Sequence, residues 1–466
     1  MNTLNKIKNY INDRAIWVAL SLYIVINSTL LLTVESGIHL IEGADAGSWY
    51  SPALALLKYG SFVTLNNPET LMTYRGPLYP LFEAVMLWVG NGKILSIVIG
   101  QIVLLWITGV FSGYIVALFI PRYKTIALSL IVFNPNALGI AHLIQSDTLY
   151  ALFITLSVWG LAKYMLSNNK LKWGVITSIF LSISCLIRPT GQYLILLLPA
   201  IFFLVSTLYG YKKILRESII HGVIGIIISG TILAPWMMHN QDAGWGYVLV
   251  PSNIKAIYLR DNTRWAEKIY RNISMGEAIT NVNDSKLMHI SSRGKIWEKM
   301  SNKERSDDLV EYYGNKLVSY PIYVLLAGYL DSWVDFLGGG GSVNFHNLLS
   351  IDVVKAIEKN QTNIYSSRLE SVYNSLSNAP VGAVLISFFS YFYVIIIRVL
   401  GLLGVIKIIK MKEYSLLLIV IGLITYFAMA AIFVGNSRYR LPVEIGFVIL
   451  ALYGLLFLNN TKRASV

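Results

Sequence analysis

Long apolar stretches, separated by short polar joints, dominate this chain. The runs 15–34, 94–120, 125–141, 148–167, 173–187, 190–209, 218–236, 381–406, 414–434 and 441–458 are apolar over most of their length. An α-helix rises 1.5 Å per residue, so about 20 residues cross a hydrocarbon core of roughly 30 Å. The pattern predicts ten spans. Two further runs fit poorly. The run 78–90 is short for a crossing and predicts a re-entrant or surface-lying helix. The run 317–337 contains Asp331 and Asp335, is interrupted by Gly328, and suits an interfacial helix. If both crossed, the count would rise to about twelve and several basic loops would change sides. The first run is longer than a signal-peptide core and no small-residue cleavage site follows it, which predicts a retained span.

Composition supports a membrane protein. Of 466 residues, 55% are hydrophobic and 14% charged, against about a quarter charged in a soluble domain. The net charge of +13 reports topology first. Lys6, Lys8 and Arg14, Arg122 with Lys124, Lys170 with Lys172, Lys212 with Lys213 and Arg216, Lys407 with Lys410 and Lys412, and Lys462 with Arg463 all belong on the cytoplasmic side. An even number of crossings must then lie between Arg14 and Arg122. Both termini fall inside. No soluble basic domain exists to bind nucleic acid. The single cysteine, Cys185, excludes an intramolecular disulfide and any cysteine-based metal site.

The predicted organisation is an N-terminal transmembrane module, 1–236, with a first outer loop at 35–93. A polar outer region follows at 237–380, and C-terminal helices occupy 381–466. The glycines 338–341 read as a flexible joint, because the strand and helix that flank a phosphate loop are missing.

This topology collects the polar residues at membrane depth on the outer side: Asp45, Arg75, Gln145, Asp147, Arg188, His239, Arg438 and Arg440. Each also has a purely structural reading. Asp45 suits a helix N-cap, Asp147 a helix dipole, Arg188 a snorkelling position before Pro189, and His239 an interface. Arg438 and Arg440 break the positive-inside pattern, which favours a bound anion. Arginine forks match phosphate oxygens in two-toothed geometry, and a carboxylate beside a lipid phosphate is placed to deprotonate an acceptor hydroxyl. Glu42 is an alternative base, and His142 and His239 are accessory candidates.

The segments G-A-D-A-G-S-W-Y-S-P-A-L-A-L at 43–56, Y-R-G-P-L-Y-P-L-F at 74–82, Q-S-D-T-L-Y at 145–150, R-P-T-G at 188–191, A-P-W-M-M-H-N at 234–240 and S-R-Y-R-L-P at 437–442 resemble the GT-C glycosyltransferases. Within that fold they are most similar to the protein O-mannosyltransferase-like and lipid A aminoarabinose transferase-like enzymes. The resemblance follows chain order and is weakest across 241–436. It implies an all-α polytopic bundle of roughly 10–12 transmembrane helices, with outer juxtamembrane helices and an outer loop lobe. It further implies an integral enzyme, in a bacterial inner membrane or its equivalent, that moves a sugar from a polyprenyl phosphate carrier on the periplasmic side. The family's first-loop acid matches Asp45, its second acid Asp147, and its Arg-Pro motif Arg188. Two departures matter. Ala46 stands where protein O-mannosyltransferases have the second residue of an Asp-Glu pair, which favours a glycan or lipid-linked acceptor over a protein. The W-W-D-Y-G motif of oligosaccharyltransferases is absent.

The expected site is therefore Asp45 as the base and Asp147 as a second catalytic carboxylate that positions acceptor or donor or shares a divalent metal, with Arg75, Arg188, Arg438 and Arg440 on the donor phosphate. Phosphate is a good leaving group, so no metal or other cofactor is required in principle. Two other classes stay open: an O-antigen polymerase or ligase using a diphosphate-linked glycan, and a lipid flippase or transporter. The second predicts polar groups near the midplane, whereas here they gather at one face.

Overall fold

A computed structural model describes residues 14–33, 45–208, 215–348 and 381–464; Glu42 lies outside them. The described chain is almost wholly helical. Helix α1 (Arg14–Thr33) is followed by α2 (Ala46–Tyr59) and a small antiparallel hairpin of β1 (Val63–Thr64) and β2 (Asn67–Leu71). Then come α3 (Leu78–Val89), α4 (Leu95–Phe119), α5 (Lys124–Val132), α6 (Pro135–Ala141), α7 (Asp147–Leu166) and α8 (Lys170–Ile187). Helices α9 (Gln192–Leu196), α10 (Leu198–Leu208) and α11 (Leu215–Asp242) lead into an outer group. That group is α12 (Ser252–Arg271), α13 (Met275–Arg293), α14 (Lys295–Lys299), α15 (Asn302–Ser319), α16 (Ile322–Gly338) and α17 (Ser342–Leu348). The chain closes with α18 (Val381–Lys410), α19 (Tyr414–Ala430), a 3-10 turn at Ser437–Val443, and α20 (Glu444–Ala464).

Among the described residues, seven helices are long and apolar enough to cross a membrane, and the chain is an integral membrane protein. They coincide with seven of the ten predicted runs. Two more runs are helix pairs bent near a proline, each long and apolar enough, taken together, for one broken span. Between α5 and α6 the axis bends by 53°. There Pro135 cannot donate a backbone hydrogen bond, and Asn134 caps the new helix through the amides of Asn136 and Ala137. The run 190–209 bends by 58° between α9 and α10, just ahead of Pro199. The tenth is α19, of 17 residues, about 26 Å long. Helix α3 has only 12 residues, too few to cross, as its sequence predicts. Helix α16 leaves α15 at 101° across Pro321, a turn that no straight crossing allows.

Two packing features fix the C-terminal spans. Helices α18 and α20 touch backbone to backbone. A Cβ on Gly404 would stand 1.8 Å from the Leu450 carbonyl oxygen, and one on Gly454 2.0 Å from that of Leu400. Small residues permit this approach between membrane helices. The second feature corrects an expectation. Within the run 338–341, Gly339, Gly340 and Gly341 form a packed seat rather than a flexible joint. A Cβ on Gly339 would meet the Asp335 carbonyl at 2.7 Å, one on Gly340 the Ser390 Cβ at 3.1 Å, and one on Gly341 the Asn136 Oδ1 at 2.2 Å. Gly341 also has φ +76°, a conformation that favours glycine.

The two ends of the bundle differ. At one, Asn459 donates to the Tyr123 hydroxyl (2.9 Å) beside Arg122, and the Lys170 ammonium caps α7 through the carbonyls of Tyr164 and Met165. The start of α2, the start of α7, the turn after α8 and the 3-10 turn before α20 meet at the other, where the charged side chains described next are bonded to one another.

Candidate active site

Asp45 occupies the N-cap position of α2, yet its side chain makes no capping bond. The carboxylate turns away to two arginines. Arg75 Nη2 donates to Oδ1 at 3.0 Å and Arg438 Nη1 to Oδ2 at 3.1 Å. Arg438 continues the chain, its Nε donating to Asp147 Oδ2 at 2.8 Å. The same oxygen accepts from Arg188 Nη2 at 2.8 Å. The result is a ladder of alternating charge: Arg75, Asp45, Arg438, Asp147, Arg188. Five of the expected site residues, distant in sequence, are brought into one line.

Local structure holds each rung. Ser48, one turn into α2, accepts from Arg75 Nε and Nη2 at 2.9 and 2.6 Å. The Arg75 guanidinium lies over the Trp49 and Tyr74 rings, 4.4 and 4.8 Å from their centres, a cation–π arrangement. Arg188 is extended at the C-cap of α8, before Pro189, and its Nε donates to Ser146 Oγ at 2.7 Å. Asp147 opens α7, where the helix dipole favours a carboxylate. Its Oδ1 is buried and makes no hydrogen bond.

The ladder runs from water into protein. The Asp45 side chain is 38% exposed and that of Asp147 is fully buried. Burial alone would raise the Asp45 carboxyl, but the charges and hydrogen bonds of Arg438 and Arg75 outweigh it and hold the group below its ordinary value. Three arginines against two aspartates leave the ladder with a net charge of +1.

The other expected residues stand elsewhere. Arg440 is completely buried, not at the ladder. Its Nε bonds Glu444 at 2.5 Å, Nη1 the carbonyls of Phe336 and Leu337 (2.7 and 3.3 Å), and Nη2 that of Gly339 (2.9 Å). Side chains at i and i+2 of a turn with about three residues per turn diverge, which sends the two arginines apart. The His142 ring is buried and donates from Nδ1 back to the Leu138 carbonyl at 2.8 Å. His239 stacks on Trp236 and donates to the Met72 carbonyl at 2.8 Å, tying α11 to the end of the hairpin. Gln145 is buried, its backbone N–H donating to Gln101 Oε1 at 3.4 Å.

Sequence reasoning missed Ser48, Ser146 and Trp49, which position the end arginines, and Glu444, the partner of Arg440. It also missed Glu83, whose buried carboxylate oxygens make no hydrogen bond. Glu83 and Glu444 each carried a signal, as a lone acid in an otherwise apolar run. Among the described residues no three His, Cys, Asp or Glu side chains converge, and the Arg438 guanidinium fills the space between Asp45 and Asp147.

No protein-family model matches the chain, and no curated protein does. Solved structures match it nearly end to end. The apo oligosaccharyltransferase of Archaeoglobus fulgidus aligns with 98% of this chain at 14% identity and a TM-score of 0.52. The chain has the GT-C fold. The A. fulgidus oligosaccharyltransferase AglB, solved with an inhibitory peptide and a dolichol-phosphate, aligns with 97% at 12% identity and a TM-score of 0.48. ArnT from Cupriavidus metallidurans, in the apo state, aligns with 94% at 12% identity and a TM-score of 0.41, covering 77% of ArnT. This GT-C chain spans about half the length of the oligosaccharyltransferases, 52% of each. At such identities the likeness is one of fold.

Proposed function

We propose that this chain is an inverting glycosyltransferase. It moves a sugar from a polyprenyl monophosphate carrier to a hydroxyl of a glycan or lipid-linked acceptor. The observation that carries the reading is the net +1 ladder with a half-exposed carboxylate at its open end. A sugar–phosphate–lipid diester bears one negative charge and neutralises the ladder. As the acceptor oxygen bonds to the anomeric carbon, the carbon–oxygen bond to phosphate breaks. The acceptor proton passes to Asp45. The departing phosphate gains a second negative charge while the ladder loses one, going from +1 to +2. Charge stays balanced through the step, and Arg438 and Arg188 face the oxygen where negative charge grows. Direct displacement inverts the anomeric centre.

A base held by two arginines is weak. In this mechanism the donor phosphate competes with Asp45 for Arg75 and Arg438, so donor binding frees the carboxylate. Asp147, buried between Arg188 and Arg438, positions those arginines. The positive-inside rule supports an outer-face position for the ladder, the periplasmic side of a bacterial inner membrane.

The test is transfer from a panel of radiolabelled polyprenyl monophosphate sugars into membranes containing the protein, with Asp45→Asn alongside. Loss of a positioned base lowers the rate about 10²- to 10⁴-fold. Full transfer by a folded Asp45→Asn protein overturns the assignment of the base. Transfer from diphosphate-linked glycans alone replaces the reading with a polymerase or ligase.

A further inference from the structure

Beside the ladder lies a cleft of about 640 Å³, within the range of small-molecule sites. One wall is the hairpin and the strand leaving it, residues 64 and 69–74. The end of α11, Trp245, Asn253 and the residues that begin α15 complete the lining. His239 ties α11 to that wall through the Met72 carbonyl, with its ring also edge-on to Phe62. Tyr74 is the shared boundary, since it lines the cleft while the next residue, Arg75, begins the ladder over the Tyr74 ring.

The cleft and the ladder have opposite electrostatic character. Two carboxylates, Glu69 and Asp242, line the cleft, and neither has an ion pair among the described residues. The one cation in the lining, Lys303, is paired with Asp307 at 2.7 Å. The cleft is therefore acidic and disfavours a phosphate, which the arginine ladder attracts. Its remaining chemistry is the Trp245 indole and a set of threonine, serine and asparagine side chains. An indole face packs on the C–H face of a sugar ring. Carboxylates accept from adjacent sugar hydroxyls, or from an amine, and side-chain amides donate to ring and hydroxyl oxygens.

We infer that this cleft is the acceptor subsite, and that it recognises a glycan that is neutral or bears an amine. The inference rests on the transfer reading above and names its acceptor class. The donor's phosphate and the acceptor's sugar are then sorted by charge to the two sides of Tyr74.

The experiment uses the full chain in lipid nanodiscs on an array of neutral, amino-bearing and phosphorylated oligosaccharides, together with neutral peptides. Binding of decaprenyl monophosphate is measured on the same preparations. Neutral or amino-bearing glycans are retained and phosphorylated ones are not. Trp245→Ala and Asp242→Asn each weaken retention roughly tenfold, the loss of one good aromatic or charge-assisted contact, and leave decaprenyl monophosphate binding unchanged. The unchanged lipid binding shows that both variants are folded. Retention insensitive to both variants overturns the inference, as does a parent that retains no glycan or retains phosphorylated glycans equally. Peptide retention that depends on Trp245 replaces the glycan with a peptide acceptor. Failure of the parent to bind decaprenyl monophosphate counts against the donor reading, and a Trp245-dependent glycan signal would still stand.

Discussion

Arg438 and Arg440 stand two residues apart on the same 3-10 turn and end in opposite surroundings. Arg440 has no exposed surface, one carboxylate partner in Glu444, and three backbone carbonyls around its fork. Its charge is balanced and all three of its nitrogens donate to protein oxygens. Arg438 is partly exposed and shared between two carboxylates that each have a second arginine. Its cluster carries a surplus charge and one edge open to water. Burial with balanced charge marks an arginine that holds the fold. Surplus charge at an open edge marks one with capacity left for a ligand.

The largest effect should come from breaking the balanced cluster. Arg440→Ala leaves Glu444 buried without its partner and three carbonyls bare, and should cost about 3–5 kcal/mol. The thermal unfolding midpoint in detergent measures this. Arg440→Lys should restore little, because a lysine ammonium cannot reproduce the planar fork. A stable but inactive Arg440→Ala protein would erase the distinction between the two arginines. Next in size is Arg438→Ala. It should lower turnover about 10²- to 10³-fold, as loss of one preorganised donor to a developing charge does, in a protein that still folds. Arg188 remains on Asp147 and Arg75 on Asp45 to limit the structural loss.

The two arginines also show how far the sequence could be read. The spans were legible because long apolar runs have few other uses, and the positive-inside rule then put the ladder residues on one face without knowledge of contacts. Asp45, Asp147 and Arg188 stood out because charge at membrane depth is costly without a role. What could not be read was which way a side chain turns. Arg438 and Arg440 look alike in S-R-Y-R-L-P, and only the pitch of the turn separates them. The glycines at 338–341 misled for a related reason. Glycine serves mobility and tight packing alike, and the neighbours that decide between them, Asn136 and Ser390, lie far away in sequence.

The open edge of the ladder has its own signature in pH. Asp45 has a folded pKa below its unfolded value, which is near 3.8. Its ion pairs therefore contribute stability at every pH above the unfolded value, and that contribution is lost as pH falls through the lower folded value. For catalysis the base is ionised throughout the neutral range, so the acid limb of kcat/KM attributable to Asp45 should lie below the ordinary carboxylate range. Arg75→Ala removes one of the two charges that oppose desolvation and should move that limb upward. A kcat/KM profile of parent and variant decides this. An unmoved limb would mean that Asp45 is not the group whose ionisation the rate reports.

The smallest expected effect tests whether the open edge is tuned rather than merely solvated. Ser48 accepts two donors from Arg75 and takes no part in the proposed chemistry. Ser48→Ala leaves Arg75 with Asp45 and the Trp49 ring, so the ladder stays charged but its outermost rung is less well held. Hydrogen bonds of this kind contribute about 0.5–1.5 kcal/mol, and water at this partly exposed edge replaces some of that. The variant should raise KM for the donor a few-fold at most, with kcat and thermal midpoint near those of the parent. A large loss of stability instead would place Ser48 and Arg75 with the Arg440 cluster, among the contacts that hold the fold. No change in KM would show that Asp45 with the Trp49 and Tyr74 rings suffices to aim the guanidinium.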